Sequence, residues 1–251
     1  MPSFRIKNLI TDSWAFLKRE TKLIAPVALS TIGFGNLLIL LLFPTKPALE
    51  MGSQPHVFPL AVLLIGASFN LIGILALSRL ILFGGESVKN AFGVAFNRLV
   101  SIFAFLFTVS ILLSVAFILV GMLVMKIYTM HHFPISTSMI LSAAGLGLML
   151  LLALHVKLFF WYTLMADKYS AFQAVKHSFA LTRGRFWILL LILLPFLIGD
   201  YALSKWLGVA ALSPSLKLVA SIVVALLTTV ITTIQLVVQA TLYKSLRKNN
   251  L

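Results

Sequence analysis

The chain has 251 residues, 61% of them hydrophobic and only 10% charged, and it contains no cysteine. Soluble domains carry roughly 45–50% apolar and about 25% charged residues, so this composition excludes a soluble globular domain. The missing cysteines exclude disulfides, thiolate catalysis and cysteine-ligated metal or iron–sulfur sites.

Long Leu/Ile/Val-rich runs without strand-period alternation predict membrane helices rather than an outer-membrane barrel. Six spans are expected, at about 23–43, 58–83, 99–127, 138–164, 186–206 and 216–243, because about 20 apolar residues cross the hydrocarbon as a helix. The fold class is therefore all-α, a single polytopic membrane domain over 1–251. The first span follows a basic, amphipathic segment, and no small-residue cleavage site comes after it, so an uncleaved N-terminus is expected. Pro44, Pro47, Pro55 and Pro59 bound the first external loop.

The net charge of +14 would suggest nucleic acid in a soluble protein. Here it follows from the gathering of Lys and Arg on the cytoplasmic side of membrane proteins, and no nucleic-acid partner is expected. The segments on one side of the spans hold fourteen cations, among them Lys18, Arg19, Lys22, Lys89, Arg98, Lys168, Lys176, Arg183, Arg185, Lys244 and Arg247. The other side holds four, Lys46, Lys126, Lys205 and Lys217. That asymmetry places both termini in the cytoplasm.

Each cytoplasmic basic segment reads as a short amphipathic helix leading into a helical hairpin. The apolar stripes are Ile6, Ile10, Ser13, Trp14 and Leu17; then Val88, Phe92, Ala95, Phe96 and Leu99; then Phe172, Val175, Phe179 and Phe186. These are helix-period spacings. Ser3, Ser87 and Ser170 stand where N-caps belong, and Ser170 with Gln173 makes a capping-box pattern. Trp14, Phe96 and Phe179 recur at intervals of 82 and 83 residues, and Leu75–Leu80 resembles Leu152–Leu158. Three parallel repeats are expected, at 1–84, 85–166 and 167–251. In the third, Gly184 lets the chain turn from the surface helix into the membrane.

The basic helices, with Lys18, Arg19, Lys176, Arg183 and Arg185, read first as topogenic anchors lying in the headgroup plane. Anionic lipid headgroups or a cytoplasmic protein are the partners they suit. Asn70, Ser78, Arg79, His155, Lys157, Gln235 and Gln239 are polar residues in the cytoplasmic halves of the even spans. Such groups tend to face the bundle interior. Arg79, His155 and Lys157, joined by Gln235 and Gln239, form the candidate anion or lipid site, with no carboxylate partner foreseen. Snorkelling of Arg79 and Lys157, and helix-to-helix bonds from the glutamines, are the alternatives.

Asp200 is the one carboxylate placed inside a span. A pair with Lys205 or Lys126 is expected, and proton coupling is the alternative. Pro26 and Pro195 should bend spans one and five. Gly66, Gly73, Ser142, Ala143, Gly145 and Gly147 read as close-packing positions. His131 and His132, with only His56 and Glu50 on the same side, are too few for a metal site. Neither a phosphate loop nor a zinc-protease or nucleophile-elbow motif occurs, and six scattered acidic residues leave little for acid–base catalysis. No enzyme, cofactor or metal is expected.

The stretch from Ala174 to Trp187, entered from Phe159-Phe160-Trp161-Tyr162, resembles the YciC-like family of bacterial inner-membrane proteins. It is also similar to the membrane domain of some glycerophosphodiester phosphodiesterases. The resemblance rests on Ala174, Ser178, Leu181, Gly184 and Trp187 ahead of a span. It implies a bacterial plasma membrane and about six spans. The phosphodiesterase activity is not carried over, since no such catalytic module is attached. The expected function is a non-enzymatic scaffold or accessory protein of the envelope, with a transporter or lipid-handling carrier as the alternative.

Overall fold

The computed structural model describes residues 6–42, 57–131, 137–210 and 214–249. In chain order the elements are α1 (Ile6–Ala28), a π-helical turn π1 (Leu29–Gly33), α2 (Phe34–Leu42), α3 (Val57–Phe83) and α4 (Val88–His131). They continue with α5 (Thr137–Lys157), α6 (Trp161–Asp167), α7 (Ala171–Thr182), α8 (Phe186–Ala210) and α9 (Pro214–Asn249). Six helical stretches among the described residues are long and apolar enough to cross a membrane: Leu9–Leu42, Leu60–Phe83, Val88–Leu112, Gly145–Asp167, Phe186–Trp206 and Leu216–Arg247. The protein is an all-helical, multi-pass membrane protein.

Only the third basic segment forms a helix of its own. The first runs unbroken into its span as α1, and the second is the start of α4. The difference lies in the exits. Gly184 sits at φ +75° and ends α7, whereas no such residue interrupts Ile6–Ala28 or Val88–His131. At its start α7 carries the full capping box: the Ser170 hydroxyl accepts from Gln173 N–H and the Gln173 side chain accepts from Ser170 N–H. Ser87 likewise accepts from Asn90 N–H at 3.3 Å. Ser3 lies outside the described residues.

The three basic segments share one burial register. Leu9, Ala91 and Ala174 are buried, as are Ser13, Ala95 and Ser178 one turn later. The next residue is exposed in each case, Trp14 at 65%, Phe96 at 65% and Phe179 at 40%. In these turns Ala91, Ala95, Ala174 and Ser178 face the bundle while Trp14, Phe96 and Phe179 turn away; small side chains let helices approach closely. The helices that carry these segments contact the even span before them in cyclic order: α1 on α9, α4 on α3, and α7 on α5 and α6. By contrast, the Leu75–Leu80 and Leu152–Leu158 phrases differ in environment. Leu75 to Ser78 are buried, while Leu154 and His155 are exposed.

α3, α6 and α9 meet one another at the centre. Their facing side chains, among them Leu75, Leu77, Leu164, Met165, Val237 and Ala240, are buried. α2 and π1 cross α3 closely. A Cβ on Gly35 would come 2.7 Å from the Gly66 carbonyl oxygen, and one on Gly73 would come 2.3 Å from Thr31 Oγ1. Asn70 Nδ2 donates to Asn36 Oδ1 at 3.0 Å across the same contact. Gly66 and Gly73 are the close-packing positions expected of them; Gly145 and Gly147 are not, since an added Cβ there would meet open space. α5 over 145–151 has few neighbours and exposes Leu146, Leu148, Met149, Leu150 and Leu151.

The π turn begins three residues after Pro26, and in it Thr31 Oγ1 donates to the Val27 carbonyl at 2.6 Å. α8 continues through Pro195. Span four, expected to be continuous, instead breaks at 158–160 between α5 and α6. The Ser178 hydroxyl of α7 fills the gap. It accepts from Phe160 N–H at 3.2 Å and donates to the Lys157 carbonyl at 2.7 Å, two backbone groups that the break would leave unsatisfied in hydrocarbon.

Candidate functional site at the basic end of the bundle

Helix ends leave their last carbonyls without partners. At the basic end of this bundle, cationic side chains from neighbouring elements supply them. Arg79 of α3 donates through Nη1 to the Ala166 and Asp167 carbonyls at 3.0 and 3.4 Å, closing the C-terminus of α6. Its Nε donates to Glu86 at 2.9 Å, and its guanidinium lies 4.8 Å from the Phe83 ring centroid. Lys244 of α9 donates to the Ile81 carbonyl at 2.6 Å, near the end of α3. Arg98 of α4 donates to the Tyr169 carbonyl, and Arg185 to the Leu181 carbonyl at 3.3 Å. Positive charge at a helix C-terminus is also favoured by the helix dipole.

Asp167 is the residue that sequence reasoning misses. Its side chain is 5% exposed and accepts from Tyr243 Oη at 2.9 Å and from Arg247 Nη1 at 3.2 Å. A signal is present: Tyr243 and Arg247 stand one helical turn apart, so both reach one point beside α9. Asp167 itself gives none, because Lys168 follows it and the span expected from hydropathy ends at 164.

The sequence-predicted site residues do not share one carboxylate-free cluster. Arg79 is bonded to Glu86. His155, exposed on α5, and Asp200 of α8 lie on helices that contact each other, and Lys205 lies over the Tyr201 ring at 5.6 Å. Lys157 is half-buried and its backbone carbonyl serves Ser178. Gln235 is half-buried; Gln239 is buried, and its Oε1 has no hydrogen-bond partner among the described residues.

Of the basic residues assigned to the surface helices, Lys18, Lys176 and Arg183 are exposed, and Arg19 pairs with Glu20 at 2.9 Å. Arg185 is half-buried on its carbonyl. Among the described residues no three His, Cys, Asp or Glu side chains come together as metal ligands. His132, His56 and Glu50 lie outside the described residues.

Chemically, this arrangement ties elements together. Its strongest donors end on backbone carbonyls and on two carboxylates rather than on an open pocket. No family model, curated protein or solved structure matches the chain.

Proposed function

We propose that this protein is a non-enzymatic scaffold or accessory component of a bacterial plasma membrane, related to the YciC-like proteins, with both termini in the cytoplasm. In this reading it is built from three repeats of a surface helix and a hairpin. The observation that carries it is the filled centre. Where α3, α6 and α9 meet, the buried side chains are mostly apolar, with Ser78, Thr163 and Gln239 the polar ones among them, and Arg79 and Lys244 are committed to helix ends. A carrier needs a polar-lined path at mid-membrane. Two grooves of about 190 and 250 Å³ lie along α1, and their walls are mostly apolar.

The exposed basic residues of α1 and α7 suit anionic lipid headgroups. Phe107 and Leu112 of α4 and Leu148 and Leu151 of α5, each exposed by 64% or more, offer a surface for a membrane partner. A photo-crosslinking residue at Leu112 or Leu148 in intact membranes tests this: a discrete protein adduct is expected. Lipid adducts alone at both positions would remove the accessory reading.

A carrier is the second reading, favoured by the titratable side chains His155 and Asp200 on the neighbouring membrane helices α5 and α8. Solute or lipid flux in reconstituted vesicles that depended on both residues would establish it.

A further inference from the structure

The groove beneath the first half of α1 contains a polar atom without a partner. Ile10, Ser13, Trp14 and Leu17 of α1 form one wall; Phe196 of α8 and Val237 of α9 belong to the other. The cavity is about 250 Å³. It meets a second groove, of about 190 Å³, at Leu17 and Ile234, and that groove follows α1 to Leu29. Ser13 is 6% exposed, and its hydroxyl is buried with no hydrogen-bond partner among the described residues.

The other hydroxyls along this line are satisfied. Thr21 donates to the Leu17 carbonyl, Thr229 to Ala225 at 2.6 Å and Thr233 to Thr229 at 2.7 Å. The comparison with the third basic segment is more telling. Ser178 occupies the register of Ser13 and uses its hydroxyl fully, accepting one amide and donating to one carbonyl at the break in span four. α9 has no break where α1 crosses it, running unbroken over Pro214–Asn249. Ser13 therefore keeps the same buried hydroxyl with no partner among the described residues, which costs roughly 1–3 kcal/mol unless a ligand meets it.

We propose that this groove holds one anionic phospholipid, an acyl chain lying between α1 and the α8–α9 floor and an ester or phosphate oxygen accepting from the Ser13 hydroxyl. The occupant is a lipid because Phe196 and Val237 lie inside the fifth and sixth spans, so the groove opens to hydrocarbon, and its walls are apolar. It is anionic because Lys18 and Lys22 are exposed on α1 just beyond Trp14, against Asp12 alone, since Glu20 is engaged by Arg19. Trp14, 65% exposed on the groove rim, is the kind of side chain found at the headgroup level.

This inference rests on the reading that the basic end meets anionic lipid, and its test separates the two. The protein is reconstituted in vesicles of phosphatidylcholine and phosphatidylglycerol at 4:1, extracted gently and examined by native mass spectrometry. Wild type is expected to retain one phosphatidylglycerol. Ser13→Ala, which removes only the hydroxyl, should weaken that retention about tenfold, the loss of one charge-assisted hydrogen bond. Val238→Trp, at a further α9 residue of the groove wall, fills the groove and should abolish retention; Lys18→Ala with Lys22→Ala should erase the preference over phosphatidylcholine. Equal retention in wild type and all variants would overturn the groove and leave the basic-end reading standing. No preference for phosphatidylglycerol in wild type would overturn both.

Discussion

Replacing Asp167 with Ala should be among the most damaging single changes at the basic end. The carboxylate is 5% exposed and holds two donors of unequal weight. Tyr243 is itself 5% exposed, so its hydrogen bond to a charged acceptor contributes about 1.5–3 kcal/mol. Arg247 is 48% exposed, so water can take over its role and the ion pair adds at most about 1 kcal/mol. The expected loss is therefore about 2–4 kcal/mol. Tyr243→Phe leaves Asp167 with Arg247 and should cost about 1.5–3 kcal/mol, the value of the one bond lost.

The two changes share one bond, so their effects should not add; a coupling of about 1 kcal/mol or more is expected in the double mutant. Reversible unfolding in mixed micelles of a mild detergent and dodecyl sulfate, followed by tryptophan fluorescence, gives the four free energies of the cycle. Additive single effects, or a loss below about 0.5 kcal/mol for Asp167→Ala, would refute the reasoning.

Three further outcomes follow from the same structure and assay. Ser178→Ala strips the Phe160 amide and Lys157 carbonyl of their partner at the span-four break, and should destabilise by about 1–3 kcal/mol, whereas Ser13→Ala should not, having no protein bond to lose. Gly73→Ala would press a methyl against Thr31 and should cost about 1–3 kcal/mol; Gly147→Ala, facing open space, should be near neutral, and equal effects at the two sites would contradict the packing described. Arg79→Lys keeps the charge but not the fork that spans Glu86 and the Ala166 carbonyl, so it should melt closer to Arg79→Ala than to wild type.

Much of the fold is legible in the sequence because the forces that shape it act over short stretches of chain. Hydropathy alone locates six spans, and the Ser170–Gln173 box and the turn at Gly184 depend on residues within a few positions of one another. What stays hidden depends on partners far along the chain. The break at 158–160 carries neither glycine nor proline, and is tolerated because a serine eighteen residues beyond Phe160 replaces the lost backbone bonds. Asp167 has the look of a loop edge until Tyr243, 76 positions away, reaches it. Arg79 reads as an uncompensated cation because Glu86 lies beyond the end of α3 and returns through the turn at Gly84 and Gly85. Amphipathic spacing identifies the surface segments but not which residues turn inward: Leu9, Ala91, Ala95, Ala174 and Ser178 go to the bundle, while Ile10, Trp14, Phe96 and Phe179 turn away from it.

The account depends most on the centre of the bundle being dry and filled. Because the chain has no cysteine, single cysteines at Leu77, Met165 and Val237, each at most 1% exposed, can be tested one at a time with a small water-soluble thiosulfonate in native membranes. All three should stay unlabelled while cysteines at the exposed Lys18 and Lys176 react within minutes. Rapid labelling of any of the three buried positions from water would reveal an aqueous path through α3, α6 and α9 and contradict the account.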